Sequence, residues 1–190
     1  MDIGLLAGSF KPFHAGHFAL LSLACVECEH VIVMASKSDR VRKGEFPIWD
    51  KDMKIMWRDV IGPHLPHNCH IKFVDIPVRA AYEALGTVEL NETAGTVAVY
   101  GDPTDVITNF PATSLMKYLP TLVNTGRLIL RQVPRSDTVN VSGTEIRRAL
   151  QVGDRRAFTA GMPPFMDTQL AWEILHGRAR NREAMGRIHS

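Results

Sequence analysis

The sequence predicts an α/β domain, doubly wound around a mostly parallel five-stranded sheet. Along its 190 residues, five short apolar runs alternate with segments of helical character. Strands that alternate with helices form parallel sheets whose two faces are covered by helices. We therefore expect a single domain over residues 1–190, with a core over about 1–150 and a helical tail over about 151–190.

The strands are predicted where short apolar runs are followed by turn residues. They are expected at residues 2–7, 30–35, 71–76, 96–100 and 128–133. In doubly wound folds, ligands bind at the carboxyl ends of the strands. Three polar segments follow strands in this way: Gly8–His17, Ser36–Arg40 and Gly101–Asp102.

The helices are predicted from the spacing of apolar residues and from signals at helix ends. They are expected at 16–28, 50–61, 78–85 and 168–178, with one or two short helices within 103–126. Gly86 is expected to end the helix at 78–85. Ser142 is expected to cap a further helix that runs to about Gln151, because Glu145 stands where it completes a capping box.

Composition argues against several classes of protein. The chain is 45% hydrophobic and 22% charged, as ordinary globular chains are, and its net charge of +2 is too small to indicate a nucleic-acid surface. No apolar run approaches the length of a membrane span and no signal peptide precedes the first strand, which favours the cytoplasm. We expect neither nucleic acid nor a membrane as a partner, and no protein-bound metal. Homo-oligomerisation is left open.

The segment Gly8–His17 carries the strongest chemical signal. A glycine-containing turn between a strand and a helix can hold phosphate with backbone N–H groups and the helix N-terminus. His14 and His17 are placed so that both side chains can face one pocket. A lone histidine is more often structural, but the glycine and proline residues around this pair favour a function. Two histidines can donate to phosphate oxygens and offset charge that develops in nucleotidyl transfer.

A second anion site is predicted at Val141–Arg148. Ser142 and Thr144 place hydroxyl groups at a helix N-terminus, and Arg147 follows one turn later. An ordinary capped helix with solvated arginines is the alternative interpretation. The first motif makes that alternative less plausible.

These two segments resemble the signatures of the cytidylyltransferase-like nucleotidyltransferase superfamily. Residues 8–17 match the pattern Gly-x-Phe-x-Pro-x-His-x-Gly-His, and residues 142–147 match Ser-(Ser/Gly)-Thr-x-Ile-Arg. The resemblance implies a Rossmann-like fold and transfer of a nucleoside monophosphate from a nucleoside triphosphate to a phosphorylated acceptor. It also implies direct in-line attack with release of pyrophosphate, and Mg²⁺ that accompanies the triphosphate.

The resemblance implies roles for individual residues. His14 and His17 would contact the triphosphate and stabilise the transition state, and Ser142, Thr144 and Arg147 would hold its β- and γ-phosphates. Lys37 matches by position a lysine near the reacting phosphates, and Lys11 is a weaker phosphate candidate. The catalytic candidates are His14, His17, Lys37 and Arg147. The nucleotide-binding candidates are Gly8, Ser9, Phe10, His14, Gly16, His17, Gly101, Asp102, Ser142, Thr144 and Arg147. For Asp102, capping of the following helix is an equal alternative.

The acceptor is the least determined part of this prediction. The two signatures look most like those of nicotinamide-mononucleotide adenylyltransferases, but the segment after the second strand lacks their usual Asn-Pro. In its place, Arg40, Arg42 and Lys43 suit an acidic acceptor, with a solvated charged loop as the alternative. Trp49 is a candidate for stacking on a base or a pyridine ring.

We expect ATP as the triphosphate and nicotinamide mononucleotide as the first acceptor to test. Within the same class, pantetheine phosphate with ATP and a polyol phosphate with CTP stay open. A nucleotide-binding sensor without turnover is the alternative from another class. A sensor has less need of groups placed for a transition state.

Overall fold

The computed structural model describes residues 1–91, 95–134, 141–179 and 181. The strands in these ranges are β1 (Ile3–Gly8), β2 (His30–Ser36), β3 (Cys69–Val74), β4 (Val97–Gly101) and β5 (Leu128–Gln132). The helices are α1 (Ala15–Glu27), α2 (Asp50–Ile55), α3 (Pro77–Glu89), α4 (Pro103–Asn109), α5 (Ala112–Tyr118), α6 (Pro120–Asn124), α7 (Gly143–Val152), α8 (Arg155–Ala160) and α9 (Thr168–Trp172). Helix α2 continues as a π-helix over Met56–Ile61, and α9 continues as one over Glu173–Gly177.

The five described strands form one sheet in the order β3-β2-β1-β4-β5. Every pair of neighbours is parallel, and Leu5 of β1 is paired with Ile32 on one side and Val99 on the other. The chain starts at the centre, winds outward through β2 and β3, and then crosses to β4 and β5. This doubly wound arrangement confirms the predicted fold class. The strand order reverses between β1 and β4, the position where such sheets bind ligands.

The described residues divide into two compact units, each built from several chain segments. The first unit holds the sheet and comprises the described residues of Met1–Ser9, Ala19–Ser36 and Pro66–Thr138. Its core contains the fully buried side chains of Leu85 and Leu122 together with Leu5 and Val99 of the sheet.

The second unit is helical and comprises the described residues of Phe10–Phe18, Lys37–Leu65 and Val139–Ser190. Its interior includes Met53, Met56, Ile146 and Phe158, all of which are buried. Helices α8 and α9 form the described part of the predicted helical tail, and the Phe158 ring meets the Trp172 ring edge-on at 5.2 Å. The assignment of residues 1–190 to a single domain stays a prediction.

Three details of the predicted elements were wrong. Helix α3 does not stop at Gly86 but runs on to Glu89, because Gly86 keeps a helical backbone, at a cost of about 1 kcal/mol relative to alanine. Residues 103–126 hold three helices instead of one or two, and Pro120 begins the third. Helix α8 was not predicted, although Asp154 caps it by accepting the N–H of Ala157 at 2.9 Å.

We predict that Leu122→Ala lowers the free energy of unfolding by about 2–5 kcal/mol, because it leaves a cavity in the core of the first unit. Urea unfolding followed by circular dichroism measures this change. Leu90→Ala is the matched control, since Leu90 is 88% exposed, and should change stability by less than about 0.5 kcal/mol. Equal losses in the two variants would contradict the assigned core.

Candidate active site

The loop that follows β1 has a strained backbone. Phe10 has φ of 49°, in the left-handed region that bulky side chains seldom adopt, and such a conformation costs about 1–3 kcal/mol. The buried Phe10 ring meets the ring of His17 edge-on at 4.9 Å and that of Trp57 at 6.2 Å. These contacts hold Phe10 in a conformation that the free chain would avoid.

A cluster of aromatic side chains fixes the imidazole of His17. The ring of Phe13 lies 5.8 Å from that of His17 and 4.9 Å from that of Trp57. Trp57 is buried and belongs to the core of this unit. Packing on this side leaves the His17 ring little freedom to rotate.

His14 caps helix α1 with its side chain. Its Nδ1 atom accepts a hydrogen bond from the N–H of Gly16 at 3.2 Å, and its carbonyl accepts from Phe18 at 3.0 Å. Since Nδ1 is an acceptor, this hydrogen bond assigns the proton of the neutral ring to Nε2. The ring is buried and stacks on that of His17, with centroids 3.7 Å apart and planes at 24°. His14 therefore combines a structural cap with an N–H donor on its other nitrogen.

The first turn of α1 is partly satisfied by the protein itself. The N–H of Ala15 donates to the carbonyl of Gly161 at 3.0 Å, and the N–H of Gly16 donates to His14. Fewer amides are left for a ligand than a bare helix N-terminus would offer. Two amides at the start of α1 are therefore already engaged within the protein.

The predicted capping box of α7 is confirmed. The Ser142 hydroxyl accepts the N–H of Glu145 at 3.2 Å, and the Glu145 carboxylate accepts the N–H of Ser142 at 2.7 Å. The same hydroxyl donates to Glu145 at 2.9 Å, so the cap already engages it. A capping box leaves the amides of the first two helical residues, Gly143 and Thr144, for a ligand.

The two signature segments lie against each other. A Cβ at Gly143 would be 3.8 Å from the carbonyl oxygen of Lys11 and 3.9 Å from Cδ2 of His14, and it would crowd Nη1 of Arg147 at 3.0 Å. A Cβ at Gly16 would lie 3.5 Å from the carbonyl oxygen of Val141. These separations are van der Waals distances, so the start of α7 lies beside His14.

Arg147 links the two signatures. Its buried guanidinium donates to the carbonyl of Lys11 through Nη1 at 3.0 Å and to the hydroxyl of Thr144 through Nη2 at 2.9 Å. Its Nε lies 3.0 Å from Oε2 of Glu45. Burial is the main cause that lowers the pKa of Arg147, and the charge of Arg40 adds to it. A guanidinium nevertheless keeps its charge in proteins.

The basic loop after β2 folds back on itself. Arg40 exchanges two backbone hydrogen bonds with Ile48, at 2.8 and 3.0 Å. The side chain of Arg40 forms a bidentate pair with Glu45, at 2.9 Å from Nε and 3.0 Å from Nη2. This hydrogen bonding, together with the charge of Arg147, lowers the pKa of Glu45.

The other candidates in this loop have different surroundings. Lys37, Arg42 and Lys43 are exposed, and Lys37 is the first residue after β2. Trp49 is half-buried and directly precedes α2. Their catalytic and acceptor-binding roles stay predictions.

Lys11 serves the architecture of the loop. Its buried ammonium donates to the carbonyl of Ser38 and lies 3.6 Å from Oδ1 of Asp50. Burial lowers the pKa of Lys11, and the charge of Asp50 works against that shift. The side chain is thus engaged inside the second unit, which makes it a poor candidate for phosphate contact.

Four of the predicted nucleotide contacts belong to the first unit. Gly8 ends β1 and Ser9 follows it; Gly101 ends β4 and Asp102 follows it. Asp102 caps α4 by accepting the N–H of Thr104 at 3.0 Å, so the capping alternative is confirmed. The nucleotide-binding roles of these residues stay predictions.

Sequence reasoning missed the part that Glu45 takes. The usable signal was the presence of two acidic residues, Asp39 and Glu45, among the four basic residues of the segment 36–45. In the part of the chain that the structure describes, no cluster of three or more His, Cys, Asp or Glu side chains is arranged for a metal. Among the described helices, none has the length and apolar character that crossing a bilayer requires.

Comparison with known proteins gives matches only among solved structures: no family model and no curated protein matches this sequence. A bifunctional NMN adenylyltransferase/ADP ribose pyrophosphatase from Francisella tularensis has a TM-score of 0.58 and 15% identity, over 98% of this chain and 56% of its own. The same protein complexed with AMP and a Mn ion gives a TM-score of 0.56 at 15% identity, over 98% of this chain and 55% of its own.

Two further proteins are similar. TmcAL from Thermotoga maritima, bound with alpha-thio ATP, has a TM-score of 0.52 and 15% identity, over 96% of this chain and 56% of its own. A proposed nicotinate-nucleotide adenylyltransferase from Vibrio parahaemolyticus has a TM-score of 0.52 and 18% identity, over 92% of this chain and 99% of its own. The chain thus spans little more than half the length of the Francisella and Thermotoga proteins.

The fold is shared. At 15% to 18% sequence identity, the similarity to solved structures establishes the fold alone. This fold is the Rossmann-like α/β architecture that the resemblance of the two signatures implied. The structural neighbours include adenylyltransferases for nicotinamide and nicotinate mononucleotides, so the resemblance seen in the sequence extends to the fold.

We predict that His14→Ala lowers the free energy of unfolding by about 1 kcal/mol or more, because the Gly16 amide loses its capping acceptor. His14→Asn should recover most of that loss, since asparagine is among the best N-cap residues. Urea unfolding of both variants measures the difference. The exposed His67→Ala is the control and should stay within about 0.5 kcal/mol of the wild type. If the asparagine variant is no more stable than the alanine variant, Nδ1 does not act as a cap.

Proposed function

We propose that this protein is a nucleotidyltransferase that moves a nucleoside monophosphate from a nucleoside triphosphate to a phosphorylated acceptor. One observation carries the proposal: the stacked imidazoles of His14 and His17 lie beside the N-terminus of α7. Imidazole donors and a helix N-terminus together suit a polyphosphate. The fold shared with adenylyltransferases supports the same class of reaction.

The proposed reaction is a direct in-line displacement. A phosphate oxygen of the acceptor attacks the α-phosphorus of the triphosphate, and a new P–O bond forms. The bond from the α-phosphorus to the oxygen bridging to the β-phosphorus breaks, and its electron pair leaves with pyrophosphate. Catalysis of such a step rests on positioning and on stabilising the charge of the transition state.

In this mechanism the histidines act on the reacting phosphate. The Nε2–H of His14 would donate to a phosphoryl oxygen, while Nδ1 stays committed to the Gly16 amide. The aromatic contacts of His17 keep its ring in one orientation, so little reorganisation accompanies the reaction. Lys37 is the proposed further cation near the reacting phosphates.

The β- and γ-phosphates are proposed to bind at the start of α7. The amides of Gly143 and Thr144 and the charge of Arg147 would hold them, with Ser142 at the edge of the site. Mg²⁺ would arrive as the complex with the triphosphate, whose own oxygens are typical ligands of this ion. A Mn ion and AMP accompany the Francisella protein, which is consistent with a divalent metal and a nucleotide.

ATP and nicotinamide mononucleotide are the proposed substrates. The support is the kind of substrate named for the structural neighbours: NMN for one and nicotinate nucleotide for another. Arg40, Arg42 and Lys43, with Trp49 close by in sequence, are the proposed contacts of the acceptor. The role of each residue in this assignment rests on the signatures and on the charge of the loop.

We predict that the protein releases pyrophosphate when ATP, Mg²⁺ and the correct acceptor are mixed. A screen of ATP and CTP against nicotinamide mononucleotide, nicotinate mononucleotide, pantetheine phosphate and a polyol phosphate measures this release. The largest kcat/KM is expected for ATP with nicotinamide mononucleotide. If ATP binds but no pair reacts, the sensor alternative gains and the enzyme proposal fails.

We predict that His17→Ala lowers kcat by more than about 100-fold while the chain stays folded, as expected when a transition-state contact is lost. His14→Asn should also lose activity, although its helix cap is retained, because it lacks the Nε2–H donor. The pyrophosphate assay measures both, and thermal unfolding confirms the fold. His67→Ala provides a matched exposed histidine. Near-normal turnover in folded His17→Ala would remove the assigned role.

A further inference from the structure

Glu45 occupies the space between two arginine side chains. Its Oε2 atom is 2.9 Å from Nε of Arg40 and 3.0 Å from Nε of Arg147, and its Oε1 atom is 3.0 Å from Nη2 of Arg40. One carboxylate oxygen is thus shared by two guanidinium groups. A phosphate group could accept hydrogen bonds from the same donors, since arginine binds carboxylates and phosphates alike in a bidentate manner.

The positive charge around Glu45 exceeds what one carboxylate can neutralise. Hydrogen bonding from Arg40, with the charges of Arg147 and Arg42, lowers the pKa of Glu45. The positive charges of Arg40 and Arg42 add to burial in lowering the pKa of Arg147. Three arginines therefore act on a single acidic side chain. A phosphate group, with a higher charge and three acceptor oxygens, would match this cluster better.

Arg147 and Glu45 differ in burial, and this difference indicates which of the two side chains can move away from the ion pair. The Arg147 side chain is only 7% exposed and is tied to Lys11 and Thr144, whereas that of Glu45 is 29% exposed. Glu45 follows Gly44, whose φ of 82° makes a turn with open space around it. The base of the loop is held separately, by the backbone pairing of Arg40 with Ile48. The Glu45 side chain can therefore move into solvent while the Arg147 side chain and the Arg40 backbone stay in place.

We propose that Glu45 is an internal counter-ion that occupies a phosphate position between Arg40 and Arg147 and is displaced when a polyphosphate binds. This inference rests on the proposed function, in which Arg147 holds the β- and γ-phosphates, and it adds Arg40, there proposed to contact the acceptor, as a second partner of the polyphosphate. In the unliganded chain the carboxylate relieves repulsion between the two guanidinium groups. The ligand must then compete with a group already attached to the protein, whose effective concentration is high. Glu45 thereby weakens binding of weakly charged anions and favours ligands with several phosphates.

The decisive measurement is the affinity of inorganic tripolyphosphate for the whole chain, by calorimetry at fixed salt. We expect Glu45→Gln to bind it at least about fivefold more tightly than the wild type, within the usual range of coupling between competing sites. Glu45→Ala should do the same, and the circular dichroism of both variants verifies the fold. Unchanged or weaker binding in these folded variants would show that Glu45 positions the arginines for the ligand, and would overturn the proposal.

A matched control separates local competition from a change in net charge. Glu83→Gln removes the same charge from an exposed pair with Arg79, 2.9 Å apart on α3, and should alter affinity less than twofold. If Glu83→Gln tightens binding as much as Glu45→Gln, the effect is general electrostatics and the inference fails. If neither the wild type nor the variants bind tripolyphosphate, the inference fails too. The pyrophosphate assay then tests separately whether the protein is a nucleotidyltransferase. Turnover in the wild type without tighter binding in Glu45→Gln contradicts the Glu45 inference alone.

Discussion

The contacts of the buried Arg147 guanidinium are the interactions on which the helical unit most depends. The guanidinium connects the carbonyl of Lys11, the hydroxyl of Thr144 and the carboxylate of Glu45, which lie in three distant parts of the sequence. A buried charge needs hydrogen bonds or an opposite charge nearby, and here Lys11 and Thr144 accept hydrogen bonds while Glu45 provides the opposite charge. Residues that are proposed to bind phosphate are thus also structural partners of one another.

This double use recurs at the histidine pair. His14 accepts the N–H of Gly16 with one ring nitrogen and so caps the helix, while His17 is held by aromatic contacts. A group that is already oriented loses little freedom when the transition state forms. The strained backbone of Phe10 belongs to the same arrangement, because its ring supplies one of those contacts. The rigidity of the site therefore comes from packing in its own unit.

Much of the fold was predictable from the sequence, because strands and helix caps depend on residues that are close together in the chain. The strands followed from apolar runs, and the capping box followed from Ser142 and Glu145, whose hydrogen bonds span one turn. The end of α3 was not, since a glycine ends a helix when its backbone takes a positive φ, and Gly86 does not. The partnership of Glu45 with Arg147 was not predictable either. It joins side chains far apart in sequence, and an acidic residue in a basic loop has the same local signature when it is fully solvated.

The hydrogen bond from Ala15 to the carbonyl of Gly161 has a consequence for how this chain can be divided. Gly161 also lies tightly against Ile146, and its contact distances leave no room for a side chain there. The segment after α8 thus touches both the first turn of α1 and the helix that carries Arg147. A fragment cut after α7 would keep every residue of both signatures and lose an anchor of each. The smallest fragment that keeps both anchors therefore extends beyond the last signature residue, at least to Gly161.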